Sequence, residues 1–262
     1  MSTGRSLNDK VVVIAGGSGL IGTRFVRLVA EEGGNAVIAS RSEEQARGVI
    51  DDVIREGFEG SARFVAGDLT SAKDVSRLFE RVHKQYGRID AVVNNLLPRS
   101  GTFGRSFEVV EYEDFCKGVQ DHVGSYFLLC QNALKYFSTQ GYGNIINIGS
   151  VYGTIPPKFE LYEDTHLTKE IDYVVAKASI VAMTRYIAAY SKSKNIRVNC
   201  LSPGGVVDHQ PPEFLARYNK RCLNKGMLSP DDLAGALKFL ISEDALFVNG
   251  QNLIVDDGFH LS

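Results

Sequence analysis

Short apolar runs rich in β-branched residues alternate along this chain with longer stretches in which apolar positions recur every three or four residues. The first pattern predicts strands and the second amphipathic helices. The run "KVVVIAGG" is followed by "LIGTRFVRLVAEEGG", whose Ile21, Phe25, Leu28 and Val29 share one helical face, and then by "NAVIAS". Strand, helix, strand is the unit from which parallel sheets are built. The alternation continues through a helix carrying Val49, Ile50, Val53 and Ile54, the strand "ARFVAG", a helix over 71–86 whose S-x-x-D start resembles a capping box, and the strand "IDAVVNN". A long helix over roughly 112–137 precedes "NIINIGS", a helix containing Tyr173 precedes "IRVNCLS", and a last helix near 230–241 precedes "QNLIVDDG".

Seven strands result, with no linker, repeat or low-complexity tract between them. Residues 1–262 are therefore expected to form a single doubly wound α/β Rossmann domain, a seven-stranded parallel sheet with helices on both faces. Two segments, 151–171 and 203–228, read as irregular. Both follow strands at their carboxyl ends, where ligands of open α/β sheets bind, so they are expected to wall a substrate cleft.

Composition narrows the partners. A chain of 262 residues with 44% hydrophobic residues can bury a large core. Its 29 Lys+Arg and 31 Asp+Glu leave a net charge of −2, which provides no global positive field for nucleic acid or an anionic membrane. Small molecules and further copies of the chain are the expected partners. Cys116, Cys130, Cys200 and Cys222 are widely spaced with no C-x-x-C, which suggests neither a disulfide framework nor a zinc knuckle. His83, His122, His166, His209 and His260 lack H-x-x-H or H-E-x-x-H spacing, so no metal is expected. The polar start "MSTGRSLNDK" and the lack of a membrane-length apolar run leave secretion and insertion without a signal, and a cytoplasmic location is expected.

The segment "VVVIAGGSGLIGTRF" sets Gly16, Gly19 and Gly22 between a strand and a helix. A side chain at these positions would block the tight turn or keep a pyrophosphate from the backbone N–H groups at the helix's positive end. Within a strand–helix–strand unit, this pattern points to a dinucleotide. Thr23 and Arg24 follow Gly22 where a nucleotide-triphosphate loop would carry Lys and Ser or Thr. At the end of the second strand an acidic residue would hold the ribose hydroxyls of NAD; Ser40 and Arg41 stand there instead. Arginine offers forked, charge-assisted hydrogen bonds to a phosphate, so NADP(H) is favoured and NAD(H) is the alternative. Asp68 has two readings, an acceptor for the adenine amino group or a cap for the turn before Ser71.

In "IDYVVAKAS", Tyr173 and Lys177 lie four apart and so share a helical face. A free tyrosine titrates near pH 10 and carries protons poorly at neutrality, but a nearby positive charge stabilises its phenolate and makes it a usable acid or base. Alone, the pair reads more readily as a core aromatic beside a solvated lysine. Upstream, "NIINIGS" brings Ser150 to the carboxyl edge of a strand, the edge to which the glycine turn brings a cofactor. A serine hydroxyl there can hold a substrate oxygen while the phenol exchanges a proton with it.

These landmarks, together with Asp68 in "AGDLTS", Asn94 in "VVNN", Pro203 and Gly204 in "IRVNCLSPGG" and the terminal "NGQNLIVDDG", occur in an order that resembles the short-chain dehydrogenases/reductases over nearly the whole length. The resemblance implies that Tyr173 is the acid/base, that Lys177 lowers its pKa and holds the nicotinamide ribose, and that Ser150 orients the substrate oxygen. It also implies a cofactor held by Gly16, Ser18, Gly19, Leu20, Ile21 and Gly22, by Ser40, Arg41, Asp68 and Leu69, by Asn94 and Asn95, and by Pro203, Gly204 and the backbone around Val206. A homodimer or homotetramer paired through helices 112–137 and 173–192 is a further implication.

Four positions depart from the family. The glycine spacing G-x-x-G-x-x-G is that of its longer, nucleotide-sugar branch, whose extra C-terminal domain this chain lacks. Leu96 and Leu97 replace the usual Ala-Gly of N-N-A-G. Asp121 in "QDHVG" stands where Asn usually completes the catalytic set, and it either serves through its backbone or pairs with Lys177. Asp208 replaces the carboxamide-binding Thr.

The interval from Ser150 to Tyr173 is longer than is usual in the family and carries Glu160, Glu163 and Asp164; the facing segment carries Arg217, Lys220, Arg221 and Lys225. These bases suit a phosphorylated or nucleotide-linked substrate or, equally, a solvated helix face. The two segments resemble oxidoreductases of bacterial surface-sugar clusters, including those linked to flagellin modification, which implies a sugar-type alcohol or ketone. A redox sensor that binds NADP(H) without turnover is the rival reading, which the Ser150, Tyr173 and Lys177 set opposes.

Overall fold

The computed structural model describes residues 6–98, 101–165 and 167–262; His166 and the first five residues lie outside that range. The seven apolar runs form strands β1 (Val11–Ala15), β2 (Asn35–Ser40), β3 (Ser61–Ala66), β4 (Ala91–Asn94), β5 (Gly143–Ile148), β6 (Ile196–Pro203) and β7 (Asn252–Val255). They make one parallel sheet in the order β3-β2-β1-β4-β5-β6-β7. The chain therefore winds outward from β1 to β3 and then returns to lay β4 on the other side of β1. Register aligns the carboxyl ends: Ala15 lies beside both Ala39 and Asn94, Asn94 beside Asn147, and Ile148 beside Leu201. Every turn leaving the central strands opens onto one edge, at the reversal of strand order where such sheets bind ligands.

Alternation along the strands builds two apolar layers. Val12, Ile14, Ile38, Val93 and Ile146 face helices α1 (Leu20–Glu31), α2 (Glu43–Arg55) and α7 (Ala234–Ile241). Val13, Ala15, Val37, Val92 and Ile145 face α3 (Ala72–Tyr86), α4 (Tyr112–Gln140) and α5 (Ile171–Tyr190). The turn before α3 carries half of a capping box: Ser71 accepts from the Asp74 N–H, while the Asp74 carboxylate takes the N–H of Asp68.

Three expectations needed correction. Ile54, placed with the apolar face of α2, is 70% exposed, because that helix turns Ala46, Val49 and Val53, with Ile50 partly buried beside them, to the core. The last helix begins as a 3-10 turn over Pro230–Leu233 before α7. Segment 203–228 is not wholly irregular, since Pro212–Asn219 form α6, with Pro at its start, Glu213 in its first turn and Arg217 in its last. That ordering suits the helix dipole and the first-turn tolerance for proline.

Candidate functional site

The glycine turn is built by close backbone approach. Gly16 has φ +72°, a left-handed conformation, and a Cβ there would sit 2.7 Å from the Asn95 carbonyl oxygen. A Cβ on Gly22 would collide with the Gly16 carbonyl, so the third glycine lets α1 pack against the turn. Gly16, Ser18, Gly19, Leu20 and Ile21 line a cavity of about 1230 Å³ that runs along the carboxyl edge of the sheet. Gly22 supports that wall without lining it.

Around the same end of the cavity, β2 finishes in Ser40, whose hydroxyl accepts from Ser18 at 3.3 Å, and Arg41 follows, exposed. Asp68 and Leu69 close the side toward β3. Asp68 accepts from both the N–H and the hydroxyl of Thr70, at 3.0 and 2.8 Å, and these bonds hold its carboxyl below the usual range. The turn-capping reading of Asp68 is thus realised, on a residue that also lines the cavity. Asn95 lines it too, but Asn94 does not: fully buried on the α4 side of β4, it points away from the cavity. The strand's period of two sends these neighbours to opposite sides. Open glycine backbone at a helix start, a forked cation beside Ser40 and a long cleft fit a dinucleotide.

At the other end of the cavity, α5 presents Tyr173 and Lys177 one turn apart, with the Lys177 Nζ 5.7 Å from the centre of the Tyr173 ring. Lys177 is 4% exposed and donates to the Ile148 carbonyl at the end of β5, at 2.9 Å. Burial, with help from nearby Lys169, pushes its pKa down to about 8. Ser150, two residues beyond β5, accepts from the Tyr152 N–H at 3.2 Å. A hydroxyl that accepts there still has its own proton to donate. Phenol, ammonium and serine hydroxyl thus share one cavity with the glycine turn, an arrangement able to hold an oxygen and exchange a proton with it. Pro203, Gly204 and Val206 supply the wall opposite.

Asp121 lines the cavity but does not pair with Lys177. Both of its carboxylate oxygens lie 2.5 Å from Nζ of Lys117, one turn earlier on α4. Two residues approach the pair from α4: Tyr126, its ring centre 5.4 Å from the Lys177 Nζ, and His122, 3% exposed, its ring 6.1 Å from that of Tyr173. Burial and the charge on Lys177 push the His122 pKa down to about 3, so the ring is neutral. Its signal was present in the chain: His122 continues the stripe Gly118, Ser125, Tyr126, Leu129, Cys130 and Ala133 that α4 turns toward the sheet, whereas Asp121 sits about 100° away.

The two long segments meet over the substrate end. Tyr152, Phe214, Tyr218, Met227 and Phe259 form a small core of their own, with Tyr162 packed against it. Arg221 pairs with Glu160 at 2.6 Å and Arg217 with Asp164 at 3.4 Å, while Lys225 pairs with Asp232. None of these bases, nor Lys220, is among the residues lining the cavity. Arg217 and Arg221 instead fasten one segment to the other. Asp208 lines the cavity and donates its N–H to Gln210 Oε1 at 2.7 Å. Tyr152, Tyr162 and Lys169 also line it and were not singled out from sequence.

Fold and cavity together define an oxidoreductase of the dinucleotide-binding class. The chain belongs to the short-chain dehydrogenase/reductase family: a family model described as enoyl-(acyl carrier protein) reductase matches residues 15–260. It is similar to the post-translational flagellin modification protein A of Campylobacter coli, 34% identical over 97% of this chain and 100% of that protein. It is also similar to a 7alpha-hydroxysteroid dehydrogenase of Bacteroides fragilis, 30% identical over 95% of this chain and 94% of the relative. Among solved structures, a short-chain dehydrogenase of Leptospira borgpetersenii with bound NAD+ superposes with a TM-score of 0.84 at 30% identity, over 97% of this chain and 93% of that one. The protein is accordingly an NAD(P)-dependent oxidoreductase acting on alcohol- or ketone-type substrates. Among the described residues no helix is long and apolar enough to cross a membrane.

The neutral His122 makes stability depend on acid. Its pKa in the fold lies below the value of 6.5 that it regains on unfolding, so below that pH the unfolded chain takes up a proton the folded one refuses. Stability is lost as pH falls, by up to about 1.4 kcal/mol per unit. In urea titrations from about pH 6.5 to about pH 5, His122→Gln should lose roughly 2 kcal/mol less than the unaltered protein; equal losses would show that His122 is not held neutral.

Proposed function

We propose that the protein is an NADP(H)-preferring reductase or dehydrogenase that interconverts a secondary alcohol and a ketone on a sugar-like substrate, with residues 1–262 acting as one cofactor-binding and catalytic domain. The observation that carries this reading is the placement of Tyr173, Lys177 and Ser150 in the cavity that begins at the glycine turn. Ser150 donates its hydroxyl proton to the substrate oxygen. Tyr173 gives that oxygen a proton in reduction and takes it in oxidation, and the Lys177 ammonium stabilises the phenolate that results. One of the three Lys177 N–H donors is spent on Ile148, leaving two for the ribose of the cofactor. When bound, the nicotinamide supplies the hydride acceptor or donor. Asp121, committed to Lys117, contributes through its backbone.

The cofactor would rest on the open backbone of Gly16 and Gly19 and on Ser18, Leu20 and Ile21, with Leu69 and Asn95 along its length. Arg41 with Ser40 supports the preference for a 2′-phosphate, since no carboxylate ends β2. The sugar-like substrate is supported by the similarity to the flagellin modification protein and by the phenols and amide that Tyr152, Tyr162 and Gln210 bring to the cavity. With the arginines of the lid paired off, phosphate recognition draws no support from them.

A cytoplasmic homodimer or homotetramer completes the proposal. Phe127, Tyr186 and Tyr190 on α4 and α5 are 49%, 70% and 61% exposed, an apolar surface suited to self-association. A single monomeric species in sedimentation at micromolar concentration would contradict it.

Replacing Tyr173→Phe should cut turnover by about 10²- to 10⁴-fold while leaving cofactor binding intact; unchanged turnover would remove Tyr173 from the chemistry. Arg41→Ala should weaken NADPH by roughly 10-fold or more and NADH by about two-fold at most, read in a fluorescence titration. Equal loss of both would remove the phosphate contact.

A further inference from the structure

Of the lysines and arginines contributed by the two cleft-walling segments, Lys169 alone among the described residues lines the cavity, where His209 also stands. Its Nζ lies 4.4 Å from the centre of the Tyr173 ring, nearer than the Nζ of Lys177 at 5.7 Å. Among the described residues it donates no hydrogen bond, and its one ion partner is Glu170, at 3.6 Å. That distance is beyond the range of a strong N–H···O bond. The other oxygen of Glu170 accepts the Gly104 N–H at 3.3 Å, and Asp172, the next carboxylate, accepts from the buried Thr102 hydroxyl. These two contacts tie the 101–104 stretch to the start of α5, so both carboxylates have work apart from Lys169.

Glu170, which also lines the cavity, and Asp172 keep their negative charge beside the two lysines, so what Lys169 offers is unspent N–H capacity close to the Tyr173 ring. Lys177 and Lys169 flank the ring, and Lys169 is one of the groups that depress the Lys177 pKa. Lys117 is neutralised by Asp121, and Arg217 and Arg221 by Asp164 and Glu160. A second donor stands close by: the hydroxyls of Tyr152 and Tyr162 are 3.2 Å apart, and a mutual bond uses one of their two protons and leaves the other free. An ammonium with unspent donors and a phenol proton, in a cavity walled by Leu167, Phe214 and Met227, form a site for an anion.

We propose that Lys169 binds an acidic group of the substrate, a carboxylate or a phosphate held near the carbon that is oxidised or reduced, and that it thereby selects acidic over neutral sugar-type substrates. This rests on the reading of the cavity given above. The anion takes the unspent Lys169 donors in competition with Glu170 and fixes which carbinol faces Ser150. The cation comes from the interval between Ser150 and Tyr173, just before the helix that carries the tyrosine.

The test uses the full chain saturated with NADP+ and three probes: gluconate, glucose 6-phosphate and the neutral polyol glucitol. Binding is read by calorimetry and turnover by NADPH absorbance, for the unaltered protein, Lys169→Met and Lys169→Arg. At least one acidic probe should bind roughly 10-fold or more tighter than glucitol. Lys169→Met should abolish that margin, raising KM for the acidic probe more than it lowers kcat, and Lys169→Arg should restore most of it. Which acidic probe is preferred separates carboxylate from phosphate. No binding of either acidic probe, an equal affinity for glucitol, or a preference that survives in Lys169→Met would overturn the proposal. Tyr173→Phe distinguishes the two levels: it should keep the binding margin while losing turnover, and a variant that keeps both would sink the catalytic reading and leave the anion site standing.

Discussion

The bond from the Lys177 ammonium to the Ile148 carbonyl holds the candidate site together. It joins α5 to the carboxyl end of β5 and keeps a cation in a place where burial resists it. A buried ammonium is tolerable only with acceptors or negative charge nearby. The strand end supplies one acceptor, the rings of Tyr126 and Tyr173 lie at 5.4 and 5.7 Å, and any phenolate formed on Tyr173 adds the charge the cation lacks. The cost of burying Lys177 and the ease of ionising its neighbour are two sides of one electrostatic coupling.

Much else in the fold serves to place that pair. The sheet reverses its winding beside β1, so the glycine turn and the end of β5 open onto one edge. Thr102 on Asp172 and Gly104 on Glu170 fix the start of α5 from the far side of the cleft. Over the top, the two long segments share an aromatic core and paired charges, which join the two walls of the cavity's substrate end.

The seven strands and the position of Tyr173, Lys177, Ser150 and the glycine turn were legible in the chain because each rests on a local pattern of period two or of one helical turn. What was misread depended on helical or strand phase. Asp121 and His122 are neighbours in sequence, yet the helix turns one to Lys117 and the other to the tyrosine; Asn94 and Asn95 part in the same way at the end of β4. The charges of residues 160–164 and 217–221 illustrate a different limit. Their composition was plain, but whether they face a ligand or one another depends on how two distant segments dock, and no local period encodes that. Helix α6 was missed because eight residues opening on Pro-Pro offer barely two turns of pattern.

The coupling between Lys177 and Tyr173 is tested most directly by the pH profile of turnover for the unaltered protein and for Lys177→Met, each saturated with cofactor. If the ammonium stabilises the phenolate, the variant should lose most of its rate at neutral pH and recover part of it only in alkaline solution. A variant with the same profile and the same neutral rate would show that the buried cation plays no part in the proton exchange.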